Sequence, residues 1–307
     1  AHFASRVAKI FGVPSLKCGG SGRYGGAGHA WSGYLAAKGK APELLFTGRY
    51  QFDFYYTGTA FDPQIRTEVL DRDVEPNRPL PAGWIAHTAG LTGQELPISM
   101  TDGRDTAHAP WMARNLEDQP ALATTIAREA VKRNPLVAEA WRALLRVVPP
   151  AEAEKAWLNL AKAAAAFPDL TWEGLRLALE RIPAADKCRQ RLYENAYALA
   201  GNAKRPDVQI QIRLAQIGEL AIAKQNKEVI QLAFDTVRAN VKEGTLIMPL
   251  VKRVVELANG FKESDPAFRM GVVKDTFAKL ATDFPKARGG DVSPAWEEWQ
   301  QLTGSLK

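Results

Sequence analysis

Cysteine is scarce in this chain. Cys18 and Cys188 are the two thiols in 307 residues, with no CxxC or other metal-type spacing, which excludes a disulfide framework and argues against a zinc site. Histidine is sparse too, four in all. His87 and His108 have no acidic or cysteine neighbour at ligand spacing, so neither a metal nor any other cofactor is expected. No apolar run approaches the roughly 18 residues that a membrane-spanning helix requires, and no membrane span is expected. A large excess of one charge is also missing: 40 basic residues face 34 acidic ones, a net of +6. Twelve of each sign fall in residues 1–118, and 28 against 22 in residues 119–307. So mild a surplus along helical sequence reads as solvated helix faces, and no nucleic-acid partner is expected.

What is present is unevenly spread. Eight of the 24 glycines lie between Gly12 and Leu35, whereas residues 119–307 hold nine. Dense glycine suits a rim or substrate passage, because it lets a second chain approach closely. Directly after it comes Gly28-His29-Ala30-Trp31, which opens a strand-like run to Leu35. A histidine at the start of an ordered strand is held in one orientation with its edge reachable, as a general base must be.

In chain order, Phe3, Val7, Ile10 and Phe11 mark one face of a helix over residues 2–11 that Gly12 stops. Extended segments follow at Val13–Leu16, His29–Leu35 and Leu44–Tyr56, with another ending at Ala60-Phe61-Asp62-Pro63. Helix then strands then a hairpin predicts an α+β unit with an antiparallel sheet over residues 1–64. Residues 65–118 lack sustained periodicity and are read as a connecting or domain-edge segment. From residue 119 to 307 the pattern is helical, with helices expected at 120–133, 136–148, 151–166, 170–181, 184–200, 207–225, 227–242, 246–260, 266–282 and 294–302. Short turns between them imply antiparallel neighbours.

Two resemblances emerge from these residues. Pro135 and Pro168 lie 33 residues apart, each after an Ala/Lys-rich helix, and AREAVKRNPLVAEAWRALL resembles a tetratricopeptide repeat. The helical region is therefore expected to form a tetratricopeptide-like α-helical repeat or bundle. In the first part, the order helix, Phe11-Gly12-Val13-Pro14, glycine-rich segment, Gly-His-Ala-Trp and a strand carrying Asp resembles the second half of a transglutaminase-like core, a papain-like cysteine-enzyme fold.

That resemblance implies a catalytic role for His29, oriented by a carboxylate on the next strand. Counting along a hairpin that pairs Leu35 with about Leu44 brings His29 near Tyr50 and favours Asp53. Asp62, in Phe-Asp-Pro, matches the family's Asp-Pro signature by text. The family's nucleophile is a cysteine at the helix start, where the positive helix end stabilises thiolate. Here that helix begins at Ala1 or His2, so the domain is expected to be incomplete at its N-terminus, with the cysteine upstream of Ala1; Cys18 is the rival. Tyr24 and Trp31 are the expected substrate contacts, while Tyr34, Tyr50, Tyr55 and Tyr56 read as core or cross-strand pairs. The function implied is a cysteine-dependent acyl transferase or amide hydrolase acting on a protein or peptide, with helical repeats that recruit a protein. The alternative is a non-catalytic interaction module whose transglutaminase-like domain is degenerate and whose helices bind a partner.

Overall fold

The computed structural model describes residues 2–74 apart from 12, 14, 23–27, 39–40, 48–49, 52–53 and 63–66, and residues 120–306 apart from 134, 262–263 and 289–290. The chain divides into two compact units: Ala1–Gln51 with Tyr55–Ala203, and Phe52–Phe54 with Lys204–Lys307. The fold is mixed α+β with a helix-rich region. Helices after residue 119 are shared between the units, so compactness divides the chain near residue 203.

The first unit begins with α1 (His2–Ile10), β1 (Ser15–Gly22), β2 (Gly28–Lys38), β3 (Ala41–Thr47), β4 (Tyr50–Gln51), β5 (Phe54–Asp62), β6 (Thr67–Leu70) and α2 (Asp71–Val74). The strands form one six-stranded sheet in the order β3-β2-β1-β5-β4, with β6 also paired to β5. Leu35 pairs with Leu44, as the hairpin count requires. Thr67–Val74 departs from the connecting segment read from sequence: Thr67-Glu-Val-Leu pairs antiparallel with β5 from Thr59 to Asp62 and then turns into α2. Four residues are too few to register as a periodic strand alone, and their stability comes from the β5 ladder.

Helices α3 (Pro120–Arg133), α4 (Ala138–Val147), α5 (Pro150–Ala163), α6 (Pro168–Arg181) and α7 (Cys188–Asn202) complete this unit. Pro120, Pro150 and Pro168 open α3, α5 and α6. At that position the missing N–H removes no intrahelical bond and the fixed φ suits the helix. α3 packs on α4, α5 on α6, and α4 on α6. The α5–α6 approach is close because Gly174 faces the fully buried Leu160 and Leu145. Trp157, with no exposed surface, gives its indole N–H to the Thr171 carbonyl at 2.9 Å, so the same pair of helices is also fixed by a buried polar contact.

The sheet-bearing part is tied to these helices by an ion-pair cluster centred on the Arg142 guanidinium. Arg142 of α4 donates from Nη2 and Nη1 to the two oxygens of Asp73 on α2, at 2.6 and 2.9 Å. It donates from Nε and Nη2 to the two oxygens of Glu173 on α6, at 3.1 and 2.8 Å, and from Nη1 to Glu139 at 2.5 Å. All five guanidinium donors are thus used, and Arg72 adds a bond to Glu173 at 3.2 Å. Burial pushes the Asp73 carboxyl up from the usual aspartate range, with the Arg142 fork opposing it. Burial also pushes at Glu173, but there the Arg142 hydrogen bonds and charge, with Arg72 and Arg146 nearby, win and hold the carboxyl below its usual range.

The second unit contains α8 (Pro206–Ile222), α9 (Asn226–Ala239), a 3-10 segment Val241–Ile247, α10 (Met248–Asn259), a π-helical turn Phe268–Lys274, α11 (Asp275–Leu280), the two-residue strands β7 (Ala287–Arg288) and β8 (Asp291–Val292), and α12 (Pro294–Gly304). Phe277 joins its core edge-on to both Phe234 and Trp299, at 4.9 and 5.4 Å between ring centroids. Gly244 stands at φ +52°, a conformation that strains any other residue, where the chain turns between helices.

Three changes test this packing. Replacing Arg142 with Met leaves Asp73, 8% exposed, with its principal partner gone, and should cost about 3–5 kcal/mol in denaturant unfolding; a loss under 1 kcal/mol would show that the cluster does not hold the unit together. For the helix approach, Gly174→Ala puts a Cβ 2.2 Å from Leu160 Cδ2 and should destabilise by about 1–3 kcal/mol. Gly218→Ala, where a Cβ meets nothing within 4 Å, should instead stabilise by about 0.5–1 kcal/mol.

Candidate functional site

His29 sits on β2 directly opposite Gly20 of β1, which is itself opposite Gly58 of β5. Its β1 neighbour at that level is therefore a glycine, with a second glycine one strand beyond, so no side chain crowds the ring from that side. The half-buried imidazole stacks on Trp31, with ring centroids 5.8 Å apart and planes 21° off parallel. Trp31 is 2% exposed and lies opposite Cys18, which has no exposed surface. An indole so enclosed holds the imidazole by packing and, at 2% exposure, leaves little of its own surface open.

Strand alternation separates the remaining parts. Cys18, Trp31 and His29 share one face, because directly opposed residues point the same way and successive residues point opposite ways. Ser15 falls on the other face, and its hydroxyl donates to the Ser5 carbonyl of α1 at 2.7 Å. That bond ties the start of β1 to α1. Phe3, Ile10 and Phe11, read as part of one apolar face of α1, are each about four-fifths exposed, while the polar Ser5 is buried.

The candidate carboxylates fare differently. Asp62 ends β5, two strands from β2 and four residues along from the level of His29. Strand spacings make that about 16 Å between backbones, so the structure does not bring Asp62 to the imidazole. The count that favoured Asp53 is corrected at its premise. β2–β3 pairing is recorded as far as Ser32–Thr47, and Tyr50–Gln51 joins the opposite edge of the sheet beside β5, three strands from β2. Asp53 and Tyr24 lie outside the described residues, as do His87 and His108.

Cys188 is the thiol that opens a helix, α7, and the text gave it no role. A helix start ordinarily favours thiolate. Here burial, then the hydrogen bond and charge of Asp186, then Glu154, push the thiol up to about 11. Asp186 also accepts the Cys188 backbone N–H at 2.9 Å, so the turn that builds the helix start puts a carboxylate beside the sulfur. Among the described residues no group of three or more His, Cys, Asp or Glu could hold a metal ion, and no helix is long and apolar enough to cross a membrane.

The text also missed a groove where α3, α4 and α5 converge, enclosing about 440 Å³. Trp141, Leu144 and Val148 floor it, and Lys132, Lys155 and Asn159 stand on its rims. Its signal was in plain view: Lys132 and Trp141 flank the Asn-Pro turn that was read only as a repeat boundary.

No protein-family model, curated protein or solved structure matches this chain. Its function therefore rests on the geometry of its own residues.

The carboxylates around Cys188 give a direct test. Alkylation of the folded protein by iodoacetamide, followed at each cysteine by peptide mapping, should be slow at Cys188 at pH 7.5 and rise with pH toward a midpoint near 11. Asp186→Asn should move that midpoint down and speed labelling several-fold at pH 8.5. A wild-type midpoint at or below the ~8.5 of a free cysteine would show that the helix start prevails over the carboxylates.

Proposed function

We propose that this chain is a non-catalytic protein-interaction module, in which a sheet unit degenerate for transglutaminase-like chemistry braces tetratricopeptide-like helices that bind a partner. The observation that carries this reading is the pairing of α3 with α4 and α5 with α6, stacked through α4 and α6, which leaves a groove beside α3 and α5. Stacked helix pairs commonly present such faces to partners. The thiols support it: Cys18 is fully buried and Cys188 is held protonated, so neither is a ready nucleophile.

Cysteine-dependent acyl transfer or amide hydrolysis is the second reading, favoured by one observation. Cys18 and His29 lie on the same sheet face, two residues apart in register, a diagonal of roughly 7–8 Å between backbones. The two readings differ in outcome. The full chain, immobilised and panned with a random 12-residue peptide display library, should enrich binders, while release of ammonia or amine incorporation from a glutamine peptide should stay at the buffer rate. Turnover abolished by His29→Ala, with no enrichment of peptides, would reverse the order of the readings.

A further inference from the structure

The groove at α3, α4 and α5 has a charge pattern that selects its occupant. Three helix faces build it. Arg128, Val131 and Lys132 recur at the three- and four-residue spacing of one face of α3, and Glu152, Lys155, Ala156 and Asn159 do the same on α5. Between them α4 and the residue after it supply Trp141, Leu144 and Val148, all at most 6% exposed. The floor is therefore apolar and preformed.

The charges around it do not balance. Of the four ionised groups on the lining, three are cationic, and the one carboxylate, Glu152, is already paired with Arg128 across the groove. Lys132 makes a loose contact of 3.7 Å with Glu129 and is 80% exposed. Lys155 makes no ion pair among the described residues. Two ammonium groups thus stand on opposite rims, Lys132 from α3 and Lys155 from α5, over an apolar floor. A carboxylate between them gains both charges, and an apolar side chain next to it in sequence covers the floor.

We propose that this groove docks a peptide segment carrying an aspartate or glutamate beside an aliphatic or aromatic residue. The proposal rests on the module reading and names the chemistry of its partner. A volume of about 440 Å³ lies at the lower end of ligand pockets, roughly 300–1,000 Å³, and suits a few side chains rather than a folded domain. Single-stranded nucleic acid fits less well. Trp141 is 3% exposed with its indole N–H given to the Pro135 carbonyl at 2.8 Å, leaving no open ring face on which a base could stack.

The experiment compares the full wild-type chain with its Lys132→Glu/Lys155→Glu variant. Both lysines are exposed, so the variant should keep the wild-type circular dichroism and melting temperature. Twelve-residue peptides panned on the wild type should pair Asp or Glu with Leu, Ile, Val or Phe. A fluorescein-labelled copy of the most enriched peptide, followed by anisotropy, should bind the variant at least ten-fold more weakly. Its wild-type affinity should fall several-fold between 50 and 300 mM NaCl. Enriched peptides without carboxylates, or binding that ignores both lysines, would overturn the groove proposal while leaving the module reading standing. Failure to enrich any peptide would remove the module reading and this proposal with it. Displacement of the bound peptide by an equimolar 12-nucleotide single strand would overturn the choice of a peptide occupant.

Discussion

The first unit depends on a single buried guanidinium. Arg142 is 6% exposed and uses every donor it has, toward Asp73 from the sheet-bearing part, Glu173 from α6 and Glu139 from its own helix. No other side chain could do this: a lysine has three donors and no planar fork, so it could not engage two carboxylates edge-on at once. Burying charge is costly, and attraction offsets that cost only where geometry is complete. With five donors matched the arrangement is also specific, because sliding α2 by one residue would leave a carboxylate and two N–H groups unmatched in a region with little water. Apolar packing between the same elements would tolerate such a slip.

Local order was legible wherever one residue type decides it. Helix ends after residue 119 could be read because proline at a first helical position and glycine or a polar turn at the end act through the backbone alone. The Leu35–Leu44 register followed from loop length in the same way. Strand order was not legible. After Thr47 the chain has the option of continuing along β2 or crossing to the far edge, and what draws Tyr50–Gln51 across is pairing with β5, a contact between strands that no local pattern announces. The Arg142 cluster was hidden for a similar reason. In Ala-Glu-Ala-Trp-Arg-Ala-Leu-Leu an arginine looks like the solvent side of an amphipathic helix, and its fork partner lies 69 residues away.

The candidate site shows how far one motif carries. Gly28-His29-Ala30-Trp31 forms a strand, and the histidine is held by its neighbour, as the text implies. Which face that histidine occupies relative to α1 is a question of parity, and a period of two makes it all or nothing. Ser15, of the other parity, bonds to Ser5 of α1, while Cys18 and Trp31 on the histidine's own face are the buried residues. Of the apolar stripe on α1, Phe3, Ile10 and Phe11 are exposed and Val7 is half-buried, while Ser5 is buried, so spacing alone did not identify which residues pack.

Charge placement then separates chemistry from recognition within this unit. A thiol becomes a nucleophile where positive potential lowers its pKa, and the helix start at Cys188 would supply that potential by itself. Instead Asp186 and Glu154 stand beside it, although Arg191 is near enough to bond Glu154. The exposed arginine's attraction is spent on Glu154 and weakened by water, while the carboxylates act on a sulfur they contact. Along the α3–α5 groove the imbalance is reversed, with cations left over after Glu152 is paired. In the proposed reading these cations, standing above apolar side chains, are what an anionic partner would meet. The two local fields are therefore opposite in sign: carboxylates raise the pKa of the thiol that opens a helix, and cationic groups outnumber carboxylates where the helix faces converge.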